Sequence, residues 1–289
     1  MMSGRSSRAL LTFLVFGFAF LYIPILLLIV YSFNESRMVT VWAGFSTKWY
    51  GALLEDQAML SAAWKSLRLA FFTACTSLVI GTAAGMSLTR FGRFRGKSLL
   101  GGLITAPMVM PEVITGLALL LLFVTMEQLV GWPAGRGMTT LWIAHVTFTS
   151  SYVAIIIASR LRELDVSIEE AAMDLGATPA KVFFVITLPI IAPALLSGWL
   201  LAFTISLDDL VISAFVSGPS STTLPMVVFS SVRLGLSPKI NALATIIVSL
   251  VASGVILSGI WMMGREKKKQ REIAQAIEDA KRQEAVGAA

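Results

Sequence analysis

The chain has 289 residues, of which 56% are hydrophobic and 14% charged, with a mean hydropathy of +0.80. A soluble domain carries about 25% charged residues, so a soluble enzyme is disfavoured, as is a disordered chain, which is poor in apolar residues. One cysteine, Cys75, excludes an intramolecular disulfide framework or a multi-thiolate metal site, one histidine, His145, leaves little room for a His-based one, and 23 basic against 17 acidic residues leave a net charge of +6.

A membrane helix needs roughly 20 mostly apolar residues to cross about 30 Å of hydrocarbon. Six stretches between charged residues reach that length. They predict an all-α membrane protein, a single transmembrane domain over 1–289 with six helices at about 9–33, 68–90, 98–126, 138–160, 181–207 and 240–264. The first follows Arg5 and Arg8, as a secretory signal would. Its apolar run is too long for one and no small-residue cleavage site closes it, so it reads as a retained helix. Tyr22 and Tyr31 lie on it. The outer loop after it carries Trp42, Trp49, Tyr50 and Trp64, rings that suit a membrane interface.

The third span holds one charge, Glu112, near its middle. A carboxylate there costs roughly 2.5–3.5 kcal/mol on insertion scales, so it points to a polar path or to a bond with a neighbouring helix. Pro107 and Pro111 beside it leave carbonyls free to line such a path. His145 in the fourth span has no acidic neighbour in sequence and reads as a packing or hydrogen-bonding residue. Trp199 and Phe203 lie on the fifth span, which Asp208 and Asp209 close at its outer edge. Two acids there make either a solvated helix end or a mouth that favours cations. Tyr22, Tyr31, Trp199 and Phe203 offer packing surfaces or aromatic faces for a cation. In the uncharged interval at 210–232, the run from Ser217 to Pro225 contains Gly218, Pro219, Pro225 and five hydroxyl residues. It reads as a loop or re-entrant segment between short helices, not as a seventh span. The tail at 265–289 mixes Lys, Arg, Glu and Gln with Ile and Ala and reads as a solvated helix.

With the N-terminus in the cytoplasm, sixteen of the basic residues fall on the cytoplasmic side and seven outside. That bias sets orientation and predicts both termini in the cytoplasm. Positive charge used this way gives no reason for a nucleic-acid partner.

The cytoplasmic loop at 161–180 has its own architecture. Ser167 followed by Glu170 has capping-box spacing, and Glu169 and Glu170 suit the positive end of a helix dipole. Ala171, Ala172, Met173 and Leu175 continue that helix. Gly176 is placed to end it in the left-handed conformation. Thr178 caps a second helix with Pro179 at its first position, leading into the fifth span. Small residues at Ala171, Ala172 and Ala177 let another protein approach the backbone closely.

Glu170-Ala171-Ala172, three residues, Gly176, nine residues, then Ile186-Thr187-Leu188-Pro189 resembles the EAA motif of binding-protein-dependent ABC importer permeases. The resemblance runs over about Arg8 to Gly264. Ser206–Ser213, Phe215–Pro219, Thr223–Pro225 and Asn241–Thr245 resemble the polyamine branch of that family. The resemblance implies the type I importer permease fold in a bacterial inner membrane. It makes 161–180 a coupling loop whose Glu169, Glu170, Ala171, Ala172, Asp174, Gly176 and Ala177 meet a cytoplasmic ATPase. It implies a second homologous permease subunit, a dimer of ATPase subunits holding ATP and magnesium, and a periplasmic polyamine-binding protein. No cofactor is expected on this chain, nor a catalytic or metal-binding residue. Putrescine or spermidine would pass between the two permeases, and Glu112, Asp208 and Asp209 are the acids available to meet it.

Two observations bear on the alternatives. An anion importer needs basic groups in its path, and the span interiors hold none. A stand-alone channel or secondary transporter has no use for the coupling loop and expects functional ions in several spans. The chain has no phosphate-binding Gly-x-x-x-x-Gly-Lys-Ser/Thr loop, no His-Glu-x-x-His and no Gly-x-Ser-x-Gly. Energy for transport therefore comes from a partner.

Overall fold

A computed structural model describes residues 4–38, 41–234, 237–254, 256 and 260. The expected tail helix at 265–289 and the end of the last span lie outside the described residues. The described chain is helical, with one isolated bridge between Asn34 and Phe45 and no strand among the described residues. It divides into two units, Met1–Glu55 with Leu236–Ala289, and Asp56–Gly235.

The first unit contains α1 (Gly4–Ser32), α2 (Lys48–Leu54) and, at the other end of the chain, an apolar helix at Pro238–Gly254. The outer loop between α1 and α2 is organised by Asn34, which is buried. Its amide nitrogen donates to the Val41 carbonyl at 2.7 Å, and its amide oxygen accepts from the backbones of Ser36 and Ala43. Trp49 is buried too and donates its indole N–H to the Asn34 carbonyl at 2.7 Å. The Tyr50 hydroxyl meets Ser32 at 2.7 Å. Two of the four rings expected at an interface are thus tied into the loop itself, while Trp42 and Trp64 stay exposed.

The second unit holds α3 (Gln57–Thr89), α4 (Lys97–Val109), α5 (Glu112–Val130), α6 (Met138–Glu163), α7 (Val166–Asp174), α8 (Pro179–Val182), α9 (Leu188–Asp208), α10 (Val211–Val216) and α11 (Leu224–Leu234). A single π-turn, Phe183–Thr187, joins α8 to α9. By length and composition, five helices can cross a membrane: Leu10–Ser32, Gln57–Thr89, Glu112–Val130, Met138–Glu163 and Pro179–Asp208. The expected helix at 98–126 is two helices, because Met110 and Pro111 are extended between α4 and α5. Proline disfavours helical geometry in the residue before it, so the break falls at Met110. The interval at 210–232 forms two short helices around a loop, as its glycine, prolines and hydroxyls predict.

At the centre of this unit α3, α6 and α9 pack on one another. The contact of α3 with α6 depends on Gly81 and Gly85, one turn apart. A Cβ on Gly81 would come within 2.6 Å of Val153 Cβ, and one on Gly85 within 3.0 Å of the Ala154 carbonyl oxygen. Small residues at four-residue spacing let membrane helices approach this closely. Val153, Ile157, Leu161, Ile191 and Ala202 complete that part of the core. Around the other end of α6, Leu69, Leu119, Phe123, Leu141, Phe148, Ile212 and Val216 form a second cluster that ties α5 and α10 to α3.

Candidate functional site

The loop at 161–180 begins at the end of α6. Asp165 caps α7, its carboxylate accepting from the Ser167 amide at 3.0 Å. That amide and the Ser167 hydroxyl hold the Asp165 carboxyl below the ordinary carboxylate range. The expected cap at Ser167 is therefore corrected by two residues. Aspartate is at least as good a cap as serine and adds a charge at the positive end of the helix. Ser167 falls inside the first turn, so the box with Glu170 does not form.

Gly176 ends α7 as expected. Its φ is +86°. Its amide donates to the Met173 carbonyl at 2.9 Å, and the Ala177 amide to the Ala172 carbonyl at 3.0 Å. This bond pair is the Schellman arrangement. Thr178 then caps α8, with Pro179 at the first position.

Glu169 and Glu170 are neighbours in sequence and separate in space. Glu170, Ala171 and Asp174 are exposed, and Ala172 and Ala177 are half-buried. Glu169 is 7% exposed and turned inward. Its Oε1 accepts from the Thr187 hydroxyl at 2.6 Å, and its Oε2 lies 2.7 Å from Arg90 Nε. Leu175, one residue before Gly176, is 91% exposed, and Val166, Ile168 and Met173 are exposed as well. Sequence reasoning took Met173 and Leu175 as helix continuation only. Apolar residues on a capped helix between two spans were the available signal for a contact surface.

The acids at the C-terminal end of α9 split the same way. Asp208 is exposed at the last position of α9. Asp209 is not: its side chain is 8% exposed. It accepts from the amides of Ile212 at 3.3 Å and Ser213 at 2.7 Å, and it lies 3.3 Å from His145 Nε2. His145 itself is 2% exposed and touches Ser206 Oγ through Nδ1 at 2.7 Å and Ser213 Oγ through Nε2 at 3.0 Å. A carboxylate can only accept. A neutral imidazole therefore places its proton on Nε2 and takes a bond from Ser206 at Nδ1. The acidic neighbour that the sequence around His145 lacks is supplied by the fold. The reading of His145 as a hydrogen-bonding residue holds, and α6, α9 and α10 meet on it. Thr149, one turn later, passes the polar contact on to Ser77 of α3 at 2.7 Å.

Glu112 opens α5 instead of lying in mid-helix, and it is exposed. Among the described residues no hydrogen bond or ion pair is recorded for it. Gly116, one turn on, lies against Ile212 and Phe215 of α10. Ile212 is three residues past Asp209, so Glu112 and Asp209 both stand about one turn from the same helix contact. On α9, Trp199 and Phe203 stack with ring centroids 5.3 Å apart. Trp199 also meets Phe71 edge-on at 5.9 Å and directs its indole N–H at Cys75 Sγ at 3.4 Å. Tyr22, stacked on Phe18, and Tyr31, edge-on to Trp42, belong to the first unit. Among the described residues no group of three His, Cys, Asp or Glu side chains is placed to hold a metal ion.

Comparison with known proteins adds the following. Residues 77–269 match the family model described as binding-protein-dependent transport system inner membrane component. The chain is 62% identical over 263 residues to the putrescine transport system permease protein PotI of Escherichia coli (strain K12), covering 91% of this chain and 94% of that one. It is 42% identical over 268 residues to the spermidine/putrescine transport system permease protein PotC of the same strain, covering 93% and 97%. Among solved structures, a chain of a bacterial ABC transporter involved in import of the acidic polysaccharide alginate matches with a TM-score of 0.67 at 17% identity, over 90% of this chain and 97% of that one. At that identity the likeness speaks for the fold alone.

Proposed function

The chain belongs to the family of binding-protein-dependent transport system inner membrane components, and from that premise we propose that its cargo is a polyamine, putrescine first. It is a multi-pass, non-catalytic permease subunit of an ABC importer. The observation that carries the substrate reading is 62% identity along 91% of the chain to a putrescine permease. In this reading the subunit pairs with a second, homologous permease. A dimer of ATPase subunits, with ATP and magnesium, docks below, and a periplasmic polyamine-binding protein delivers cargo above. Six helices cross the bilayer and both termini are cytoplasmic.

The chemistry follows from charge. A diammonium ion leaving water needs fixed negative groups along its way. Glu112 and Asp208 are exposed carboxylates on this chain and meet the cation directly. Asp209 contributes through the helix start and the histidine that it holds. Tyr22, Tyr31, Trp199 and Phe203 add aromatic faces. At the cytoplasmic end Glu170, Ala171, Asp174 and the turn at Gly176 present α7 to the ATPase, with Ala172 and Ala177 keeping the approach close. ATP-driven closure of the ATPase dimer then moves α7 and α8, and the path alternates between the two sides.

The test is uptake of labelled putrescine into vesicles holding the full complex. Uptake that needs ATP and the binding protein, and that spermidine competes for, supports the reading. Uptake of another solute class instead of amines overturns it. Orientation is tested separately. A reporter after Lys269 should read out as cytoplasmic and one at Ser220 as periplasmic; the reverse for Lys269 breaks the six-span count.

A further inference from the structure

We infer that Glu169 is a positioning residue that straps the coupling helix to three membrane helices, with Arg90 and Thr187 as its anchors. The inference rests on the reading of 161–180 as the ATPase-docking element. Glu169 stands one residue before the Glu-Ala-Ala run and faces about 100° away from Glu170 around the helix. That angle decides their partners: Glu170 faces outward, and Glu169 is turned into the protein.

Each oxygen of the Glu169 carboxylate is engaged. Oε1 accepts from Thr187, the last residue of the π-turn that leads into α9. Oε2 pairs with Arg90, the residue that caps the C-terminus of α3. Arg90 also donates Nη2 to the Leu164 carbonyl, at the end of α6, at 3.4 Å. The ends of α3, α6 and α9 therefore converge on one carboxylate. A buried carboxylate is costly unless paired and hydrogen-bonded, and an apolar side chain would anchor a passive loop as well. What the ion pair adds is a charged fixed point: Arg90 Nε and Glu169 Oε2 approach to 2.7 Å without hydrogen-bond alignment, and breaking a buried pair costs more than losing an apolar contact. Covalently, α7 hangs between an extended Leu164 and the left-handed Gly176. Both joints are short, Leu164 and Asp165 before α7 and four residues between α7 and α8. The strap supplies the third fixed point, so that a push on α7 becomes movement of α9 and α3 and not rotation in place. The π-turn carrying Thr187 is of a kind found often at functional positions.

The experiment uses the full complex in vesicles with Glu169→Gln, Arg90→Gln and Thr187→Val, and with Glu170→Gln for contrast. It reads co-purification of the ATPase subunits, ATP hydrolysed, and labelled putrescine carried per ATP. Glu169→Gln and Arg90→Gln should retain the ATPase subunits while transport per ATP falls about tenfold, the loss expected for one charge-assisted bond. Thr187→Val should fall in the same direction by less. Glu170→Gln should weaken co-purification itself. Exchanging the charges, Glu169→Arg with Arg90→Glu, should recover part of the coupling if the two act as a pair, and the retained ATPase subunits separate this from a merely structural loss. Unchanged transport per ATP in all three strap variants overturns the inference, as does loss of the ATPase subunits from Glu169→Gln. If Glu169→Gln does not reach the membrane, Thr187→Val decides alone, and full coupling there overturns it. A wild-type complex that neither binds an ATPase nor carries an amine defeats the underlying reading instead.

Discussion

Two acidic doublets, at opposite ends of the fifth membrane helix, divide their labour in the same way. Before that helix, in the 161–180 loop, Glu169 is buried on Arg90 and Thr187 while Glu170 is exposed. At its C-terminal end the Asp209 side chain is turned onto His145 and Ser213 while Asp208 is exposed. In each pair one acid holds helices together and the other is free for a partner or a cation. Successive helical residues diverge by about 100°, and a helix that ends between two residues sends them apart as effectively. The comparison teaches that a doublet of like charge is two positions with two environments, and that its members answer mutation differently.

The largest difference is expected at the C-terminal pair. Asp209→Ala leaves His145 without its carboxylate and two α10 amides without an acceptor. It should destabilise the unit by about 2–4 kcal/mol, read as a lower unfolding temperature of the purified subunit in detergent. Asp208→Asn should stay within about 0.5 kcal/mol of wild type and lower putrescine uptake. Equal stability losses at the two positions would break the comparison.

At the loop pair the turn that presents Glu170 is the more sensitive feature. Gly176→Val forces a β-branched residue to positive φ, at about 1–3 kcal/mol. Membrane insertion should be normal, with ATPase docking and transport lost. Retained substrate-stimulated ATP hydrolysis would remove Gly176 from the coupling element.

Glu112 sharpens the comparison because it is an exposed acid with no partner among the described residues. Glu112→Gln keeps shape and hydrogen-bonding atoms. Loss of one charged contact with an ammonium should cost about 1–3 kcal/mol, which is roughly tenfold or more in uptake at limiting substrate. Assembly and basal ATP hydrolysis should be intact. Normal uptake would make the carboxylate structural.

The smallest effect concerns Asp165, a capping acid whose carboxyl lies below the ordinary carboxylate range because Ser167 bonds its charged form. A lowered folded-state value means that the cap stabilises α7 above the unfolded value and loses that contribution as pH falls through the folded one. Amide exchange in 166–169 should therefore quicken only in acid below the ordinary carboxylate range. Asp165→Asn should abolish that pH dependence while keeping most of the cap.

Much of this molecule is legible without its fold. That the chain is helical and apolar follows from stretches of apolar residues long enough to cross a bilayer, a property of local composition, although the helix expected at 98–126 is two. Gly176, Thr178 and Pro179 declare their turn because backbone geometry and capping depend on residues within one turn. The loop at 217–223 follows from its glycine, prolines and hydroxyls for the same reason. What tertiary structure alone decided are the partners across helices. Asp209 is 64 residues from His145, and Glu169 is 79 from Arg90. No local pattern reports such pairs, since they arise only when α3, α6 and α9 pack. The Gly81–Gly85 pair went unread in the sequence, and only packing shows that Val153 and Ala154 fill the space above it. Buried polar groups must find a partner wherever the chain brings one, so their roles are set by packing and not by neighbours in sequence.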